Sequence, residues 1–328
     1  MLGALLALAS AALFGLQSAA VRRAVTSSSP LQGMAITVPS GVPLFAALAL
    51  FFGGFDAMPG WPASTWLWAG VAGIIHFVIG RFGNYHATQA LGGTLSTPIQ
   101  QLSVIVALVL AVLFLQESIS GLNFVGIGLV IFGPMVMLSR RKKNAGKRAG
   151  SDFEPNFRSG LIWGLVSAFG YGSSPLFVAL ALRSAGPVEA PFGNAIGVLF
   201  VSYGCASVMV IGVIMMAGGV KVVRSIPKSG LNWYLFSSVL VALSQLFRYM
   251  ALVVAPVSVV VPIQRLSAIF RLLFNAMLNR KDERLDPMVI VGIILSIFGA
   301  AALGVDTKTA LDWLDLGPEL TGLLSWRF

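Results

Sequence analysis

The sequence predicts an all-α integral membrane protein whose ten transmembrane helices form two inverted five-helix repeats. Two observations predict this fold: apolar runs fill most of the chain, and its second half repeats residues of the first half. The 328 residues are 57% hydrophobic and 10% charged, with a mean hydropathy of +0.87. A soluble domain usually carries about 25% charged residues, and a membrane-spanning helix needs roughly 20 apolar residues. A chain of this length therefore has room for about ten such helices.

Ten apolar stretches are long enough to cross the bilayer. They cover residues 2–21, 33–52, 66–89, 94–115, 121–138, 160–182, 194–217, 231–254, 256–277 and 287–304. Arg22 and Arg23 follow the first stretch and no basic segment precedes it, so we expect a retained helix rather than a cleaved signal peptide. The stretches divide the chain into a first repeat (1–139), a basic linker (140–158), a second repeat (159–305) and a C-terminal tail (306–328).

The clearest internal repeat is a six-residue motif, Pro-Ile-Gln-x-Leu-Ser, at residues 98–103 and again 164 residues later at 262–267. Five of its six positions are identical, and the sixth exchanges Gln101 for Arg265. A shorter match at an offset of 157 relates Phe14-Gly15 to Tyr171-Gly172. Each half has an odd number of predicted spans, so we expect the second half to lie upside down relative to the first. In transporters built this way, the substrate site lies near the midplane between the repeats.

Lysine and arginine are concentrated in alternate loops of the predicted topology. One set of loops holds Arg22 and Arg23, the linker cluster, and the basic residues within 221–228 and 280–284. The other set includes residues 53–65 and 116–120, which contain neither lysine nor arginine. Cytoplasmic loops carry an excess of these residues. We therefore expect the linker to be cytoplasmic and both termini to be outside, in the plasma membrane (the inner membrane of a bacterium).

The candidates for substrate binding are polar side chains inside the predicted spans. They lie on the third helix of each half and in or after the repeated motif: Asn84, Tyr85, Gln100, Gln101, Ser103, Arg248, Tyr249, Gln264, Arg265, Ser267, Arg271 and Asn275. Pro98 and Pro262 each remove a helix hydrogen bond beside the site, which makes them candidate gating residues. His86 is a candidate for proton coupling, because histidine titrates near physiological pH.

Each of these candidates also has a purely structural interpretation. The arginines could extend to lipid headgroups, the glutamines could hold helices together, and the tyrosines could only stack. His86 could be a packed neutral side chain. Arg265 lies near the middle of its predicted span, where headgroups are hardest to reach, so we favour a functional role for it.

Catalysis and metal binding have no support in the sequence. Cys205 is the only cysteine, and His76 and His86 lie ten residues apart without a neighbouring carboxylate. There is no glycine-rich phosphate loop and no metal-ligand spacing. We expect no enzymatic activity, no cofactor and no metal. The net charge of +10 lies in loops between apolar spans, so it does not indicate nucleic-acid binding.

The chain resembles the drug/metabolite transporter superfamily, in its ten-helix EamA-type branch. The resemblance extends through Gly304 and is carried by the repeated Phe-Gly and Tyr-Gly steps, the proline after each third helix, and the turn Leu115-Gln116-Glu117. It implies a secondary transporter of small metabolites that works by alternating access without ATP. Members usually have cytoplasmic termini, opposite to what the loop charges predict here. The second copy of the Glu117 turn also differs, reading Asn279-Arg280-Lys281.

We therefore expect a secondary transporter, an exporter, of a small anionic or zwitterionic metabolite that contacts Arg265, Arg248 and the glutamines. Small multidrug-resistance relatives exchange organic cations for protons and need an acid within the membrane, whereas every carboxylate here is predicted in a loop, at a span end or in the tail. Aromatic or cationic substrates that stack on the site are an open alternative for the transporter. Two further alternatives stay open: a flippase for an anionic lipid, and a non-transporting membrane partner or sensor that binds through the linker. The expected partners are a small-molecule substrate and the lipid bilayer, for a monomer or homodimer.

Overall fold

The computed structural model describes residues 1–25, 27–129, 131–132, 156–186, 191–278 and 318–326, together with residues 291, 294–295, 298–299, 302–303 and 307. Within these ranges the chain is helical and has no β-strand, as the sequence predicts. The helices are α1 (Leu2–Ala24), α2 (Pro30–Thr37), α3 (Gly41–Phe51), α4 (Gly54–Ala57), a 3₁₀ turn (Met58–Gly60), α5 (Ala63–Gly73), a π-helix (Ile74–Gly80), α6 (Arg81–Leu115), α7 (Phe157–Ser184), α8 (Pro191–Met216), α9 (Val220–Arg224), α10 (Lys228–Val254), α11 (Val257–Gln264), α12 (Ser267–Leu278) and α13 (Pro318–Ser325).

Seven segments are long and apolar enough to cross a membrane. They are Leu2–Ala24, Pro30–Phe51, Ala63–Leu91, Phe157–Ser184, Phe192–Met216, Lys228–Val254 and Val257–Phe274. The shorter apolar helix Ile99–Leu115 coincides with the fourth predicted span. The fifth and tenth predicted spans, 121–138 and 287–304, lie partly outside the described residues. The apolar helices are those of a multi-pass membrane protein.

Helix α6 spans Arg81–Leu115, which includes parts of the third and fourth predicted spans. The chain reverses direction within this stretch. The side-chain nitrogen Nε2 of Gln100 lies 2.7 Å from Oδ1 of Asn84. In a straight α-helix these two residues would be about 24 Å apart along the axis, at 1.5 Å per residue. The chain therefore turns back between Asn84 and Gln100, and the third and fourth predicted spans run antiparallel.

The ninth predicted span is interrupted at the second copy of the repeated motif. Helix α11 ends just before Arg265, and α12 begins two residues later. Pro262 lies inside α11 and has no N–H to donate to the carbonyl one turn earlier. The N–H of Arg265 donates to the carbonyls of Val261 and Pro262 at 3.2 and 3.0 Å, which tightens the last turn of the helix. Broken helices of this kind place backbone groups at the substrate sites of many transporters.

The loops and helix ends lie on two opposite faces of the protein, as their mutual contacts indicate. We call these face A and face B. Face A is defined by the pairs Gly3 with Ala255, Trp61 with Asn194, Leu115 with Arg183, and Glu117 with Val257. Face B is defined by the pairs Arg23 with Leu278, Gln32 with Ser225, and Ala90 with Asn156. The described cation-rich loops lie on face B. Arg183 is on face A, where its Nη1 donates to the Leu115 carbonyl at 3.2 Å, near the end of α6.

The first helix of each half packs against the third and fourth spans of the other half. Helix α1 contacts α10, α11 and α12, and α7 contacts α5 and α6. An added Cβ at Gly15 in α1 would lie 2.8 Å from the backbone nitrogen of Arg271, and one at Gly172 in α7 would lie 2.6 Å from the carbonyl oxygen of Ser103. The repeated Phe-Gly and Tyr-Gly steps therefore mark places where two helix backbones meet, as small residues allow in membranes.

Replacing either of these two glycines with alanine should destabilise the protein. We expect Gly15→Ala and Gly172→Ala to lower the melting temperature in detergent, because overpacking costs about 1–3 kcal/mol. Gly212→Ala in α8 is the matched control, because no atom lies within 4 Å of a Cβ there. Equal melting temperatures for Gly172→Ala and Gly212→Ala would contradict the close contact.

The loop charges predict that face B is cytoplasmic, which single-cysteine labelling can test. In a Cys205→Ser background, Ser229→Cys on face B should be shielded from a membrane-impermeant thiol reagent in intact cells, and Gly60→Cys on face A should react. Ser229 is exposed and Gly60 has open space for a Cβ, so both positions accept the change. The reverse labelling would give the protein the cytoplasmic termini that its resemblance implies.

Candidate functional site

A network of buried polar side chains lies where the two halves of the chain meet. At its centre, Nη1 of Arg248 in α10 lies 3.1 Å from Nδ1 and 3.3 Å from Nε2 of His76 on the π-helix. Nη1 also donates to Oε1 of Gln245 at 3.0 Å, and Nη2 donates to Oγ of Ser174 at 2.9 Å. Oγ of Ser174 lies 2.8 Å from Nδ1 of His76. These contacts connect the π-helix of the first half to α7 and α10 of the second.

The π-helix that carries His76 is held between α7 and α8. A side chain at Gly73, just before it, would collide with the carbonyl group of Ser202 in α8. At its other end, Gly80 lies against the ring of Tyr171 in α7. Short π-helical segments within helices are frequent at functional sites. The close packing at both ends fixes where His76 enters the network.

Arg81 begins α6 directly after the π-helix, and its partners among the described residues are neutral. Its Nη1 donates to the carbonyl oxygen of Thr37 at 2.9 Å, and its Nη2 donates to the hydroxyl of Tyr203 at 3.2 Å. The guanidinium carbon lies 5.0 Å from the ring centroid of Phe77 and 5.7 Å from that of Tyr203, within cation–π range.

Tyr171 links this network to both copies of the repeated motif. Its ring centroid lies 4.7 Å from that of His76 and 5.9 Å from the guanidinium carbon of Arg265. Its hydroxyl accepts a hydrogen bond from Nδ2 of Asn84 at 3.3 Å. Oδ1 of Asn84 accepts in turn from Nε2 of Gln100 at 2.7 Å. The first motif thus reaches Tyr171 through Gln100, and the second reaches it through Arg265.

Several buried donors in the network and the motif have no acceptor among the described residues. They are Nε2 of Gln101, Nε2 of Gln245, Nε of Arg248 and Nε of Arg265. A buried donor that is left unpaired costs about 1–3 kcal/mol. None of Arg81, Arg248 and Arg265 has a carboxylate partner in the described part of the chain. The site therefore has an excess of hydrogen-bond donors and positive charge.

The match to a protein family covers most of the chain. The model of the EamA-like transporter family matches residues 1–139 and 158–305. The chain belongs to this family. This match confirms the resemblance that the sequence indicated. It also confirms that the chain is a membrane protein of a transporter family with two repeats.

Solved structures also match this EamA-like transporter. One crystal structure shares 14% sequence identity at a TM-score of 0.62, over 94% of this chain and 99% of that one. At this identity the likeness shows the fold alone. None of the curated proteins matches.

Both matched halves of the EamA-like transporter contribute to the network. His76, Arg81, Asn84 and Gln100 come from the first half, and Tyr171, Ser174, Gln245, Arg248 and Arg265 come from the second. Of these, Asn84, Gln100, Arg248 and Arg265 are candidates that the sequence analysis names. The structure therefore brings together residues from both third helices and both motifs.

Gln264 and the two tyrosine candidates, Tyr85 and Tyr249, form hydrogen bonds at the edge of the network. Nε2 of Gln264 donates to Oγ of Ser10 in α1 at 3.0 Å. The hydroxyl of Tyr85 lies 3.2 Å from Oγ1 of Thr37, and that of Tyr249 donates to Oγ of Ser202 at 3.3 Å. Each tyrosine thus joins the third span of its half to the second span.

The remaining candidates have more local positions. Oγ of Ser103 donates to the carbonyl of Gln100 within α6 at 2.6 Å. Ser267 and Arg271 are buried on α12. Asn275 and Pro98 lie in helices, but their side chains are outside what the structure describes.

His86 lies apart from the network. Its ring stacks on Trp163 at a centroid distance of 4.9 Å and meets the edge of Phe82 at 4.4 Å. Within the described ranges, no group of three His, Cys, Asp or Glu side chains could hold a metal ion.

Glu117 positions the helix that carries Gln264 and Arg265. Its two carboxylate oxygens accept hydrogen bonds from the backbone N–H groups of Val257 and Ser258, both at 2.8 Å. These groups open α11 and would otherwise lack partners, and a negative charge is favourable at a helix N-terminus. In this EamA-like transporter the Leu-Gln-Glu turn of the first half therefore caps a helix of the second half.

Two network residues, His76 and Tyr171, are absent from the sequence-based candidates, and the sequence makes Arg81 and Ser174 only weaker candidates. His76 and Arg81 are five residues apart, which places them about 140° apart around a regular α-helix. In a π-helix, hydrogen bonds run to the fifth residue, and residues at this spacing lie close to one face. The pattern on the third span does not reveal this local change of pitch. The sequence feature that could have indicated the others is their polarity, since Ser174, Tyr171 and Arg81 are polar residues within apolar runs.

Proposed function

We propose that this EamA-like transporter is a secondary exporter of a small organic anion or zwitterion and works by alternating access. The proposal rests on three buried guanidinium groups without a described carboxylate partner. Arg81, Arg248 and Arg265 are 2%, 1% and 9% exposed. Family membership supports the transport of small molecules, and the charge of the substrate is our inference from the site.

Three positive charges inside a membrane protein need compensation. An arginine at the centre of a transmembrane helix costs about 2.5–3.5 kcal/mol on insertion scales, and neighbouring like charges add to that cost. Carboxylate and phosphate groups match the planar fork of a guanidinium and form paired, charge-assisted hydrogen bonds with it. We infer that such a group binds beside Arg248 and Arg265, where the unpaired Nε atoms are available as donors.

We propose ten helices in two inverted five-helix repeats as the mechanical basis of transport. The starts of the two halves support this arrangement, because α1 begins at face A beside Ala255 and α7 begins at face B beside Ala90. Since the three site arginines are buried, substrate entry requires the halves to separate, at one face at a time. Pro98 and Pro262 weaken the backbone hydrogen bonding next to the site, which fits a role in gating.

The proposed location is the plasma membrane, with linker 140–158 in the cytoplasm. The described cations on face B support this orientation. The alternatives are an anionic-lipid flippase and a non-transporting partner or sensor. The enclosed position of the arginines favours a small soluble anion over a lipid. Proteoliposomes that move a labelled anionic lipid between leaflets, but move no small anion, would favour the flippase.

The charge requirement can be tested by a thermal-shift screen of the purified protein. The panel contains small carboxylates, phosphates, zwitterionic amino acids, sugars and amines. A ligand that binds only the folded state raises its melting temperature. We expect the stabilising compounds to be carboxylates, phosphates or zwitterions. Stabilisation by amines or sugars alone would refute the anion proposal.

Arg265→Gln is the most informative variant, because Gln101 occupies the equivalent position in the first half. We expect it to fold and to bind the anions found in the screen with a roughly 10- to 150-fold higher Kd, since the loss of a charge-assisted hydrogen bond costs about 1.5–3 kcal/mol. Arg265→Lys should restore only part of the affinity, because an ammonium group lacks the planar fork.

Arg183→Gln is the matched control for this variant. It removes an arginine that caps α6 on face A and lies outside the network. Its anion affinity should stay at the wild-type value. Equal affinities for the wild type and Arg265→Gln would assign Arg265 a purely structural role.

A further inference from the structure

We propose that His76 carries the proton in this site, so that one proton crosses the membrane together with each anion. The inference rests on the proposed anion site and adds its coupling ion. Histidine is the side chain that titrates near neutral pH, and His76 is the histidine that the described network contains. His86, the candidate that the sequence offers for this role, lies outside the network.

Both ring nitrogens of His76 lie near the guanidinium of Arg248, with Nη1 at 3.1 Å from Nδ1 and 3.3 Å from Nε2. A guanidinium group has donors only, and Nη1 of Arg248 lies 3.1 Å from Nδ1 of the ring. The hydroxyl of Ser174, 2.8 Å from the same nitrogen, already accepts from Nη2 of Arg248. Its own proton is therefore free to point at Nδ1.

Among the described residues, the charged groups near His76 are all cations. They are Arg81 from α6, Arg248 from α10 and Arg265 from the turn after α11. Tyr171 from α7 touches the imidazole ring, and Tyr203 from α8 packs on the adjacent Phe77. An imidazolium among three guanidinium groups is strongly disfavoured by electrostatic repulsion. The described part of the site therefore offers a protonated His76 no anionic partner.

A bound anion would make the protonated form of His76 more favourable. A carboxylate that pairs with Arg248 through its unpaired Nε and a neighbouring Nη group would draw the guanidinium away from His76. The negative charge of the anion also offsets one guanidinium charge. Nδ1 then has a free lone pair next to an anion, which favours a second proton on the ring.

The transfer is balanced in protons and charge. The proton comes from water on the side where the anion enters, bonds to Nδ1 of His76, and returns to water when the halves open on the other side. An O–H bond of a hydronium ion breaks as the N–H bond forms, and an O–H bond to water forms again as the N–H bond breaks on the other side. The site with a monoanion and a proton has the same net charge as the empty site, so both can change conformation at similar electrostatic cost. Direction then follows the combined gradients of anion and proton, and a metabolite that accumulates inside leaves with its proton.

The count of protons taken up per bound anion tests the inference. Isothermal titration calorimetry of the full-length protein, in buffers of different ionisation enthalpy, gives this count directly. The probes are sulfate, benzoate and succinate, used above neutral pH where all three are ionised. We expect the wild type to take up close to one proton per anion. His76→Gln should still bind the anion, because its amide oxygen accepts from Arg248, but should take up none.

Two further variants keep the test specific. His86→Gln is the matched control, since it removes the histidine that stacks on Trp163, and it should take up protons as the wild type does. Ser174→Ala keeps the imidazole and removes its hydroxyl partner, so it should retain proton uptake with a shifted pH midpoint. This second variant makes the test independent of whether His76→Gln folds.

The outcomes separate the coupling from the anion site. Anion binding without proton uptake in the wild type, or unchanged uptake in His76→Gln, would overturn the role of His76 and leave the anion site in place. Loss of uptake in His86→Gln alone would also overturn it. If neither these probes nor any anion in the thermal-shift screen binds, the anion site itself is refuted, and the coupling with it.

Discussion

Arg248 makes the contact on which the centre of the structure depends. Its guanidinium binds His76 on the π-helix, Ser174 on α7 and Gln245 on its own helix. The residue is 1% exposed, so its charge is held by these neutral groups rather than by bulk water. A hydrogen bond to a charged group typically contributes about 1.5–3 kcal/mol. The atoms that join the two halves are also the donors that an anion would require. In our proposal, substrate binding therefore competes directly with the contact that keeps the halves closed.

The two halves share their packing but differ in charge. Gly15 and Gly172 make equivalent close contacts between helices of opposite halves. The polar positions are not equivalent, because Asn84 and Gln101 in the first half correspond to Arg248 and Arg265 in the second. The duplicated backbone therefore provides a symmetric frame for motion. Two of the three site cations come from the second half, which in our proposal makes that half the main anion-binding surface.

The sequence predicts the membrane segments well, because a long apolar run is required wherever a helix crosses lipid. Eight of the ten predicted spans coincide with described apolar helices. Arg248, Arg265, Asn84 and Gln100 could also be predicted, since polar groups within such runs are costly and need a reason to be there. The role of His76 could not, because it depends on a π-helical change of pitch and on a serine 98 residues away. The break after Gln264 was likewise hidden, since Pro262 predicts a weakened helix but not the residue at which it ends.

The central claim is that an anion is the missing partner of Arg248 and Arg265. Anomalous diffraction from crystals grown with selenate would test it most directly, because selenate is a permanent anion with a strong selenium signal. Our account predicts an anomalous peak beside Tyr171, within hydrogen-bond distance of one or both of these guanidinium groups. The absence of a peak there, with Arg248 still bound to His76, Ser174 and Gln245 at full selenate concentration, would contradict it.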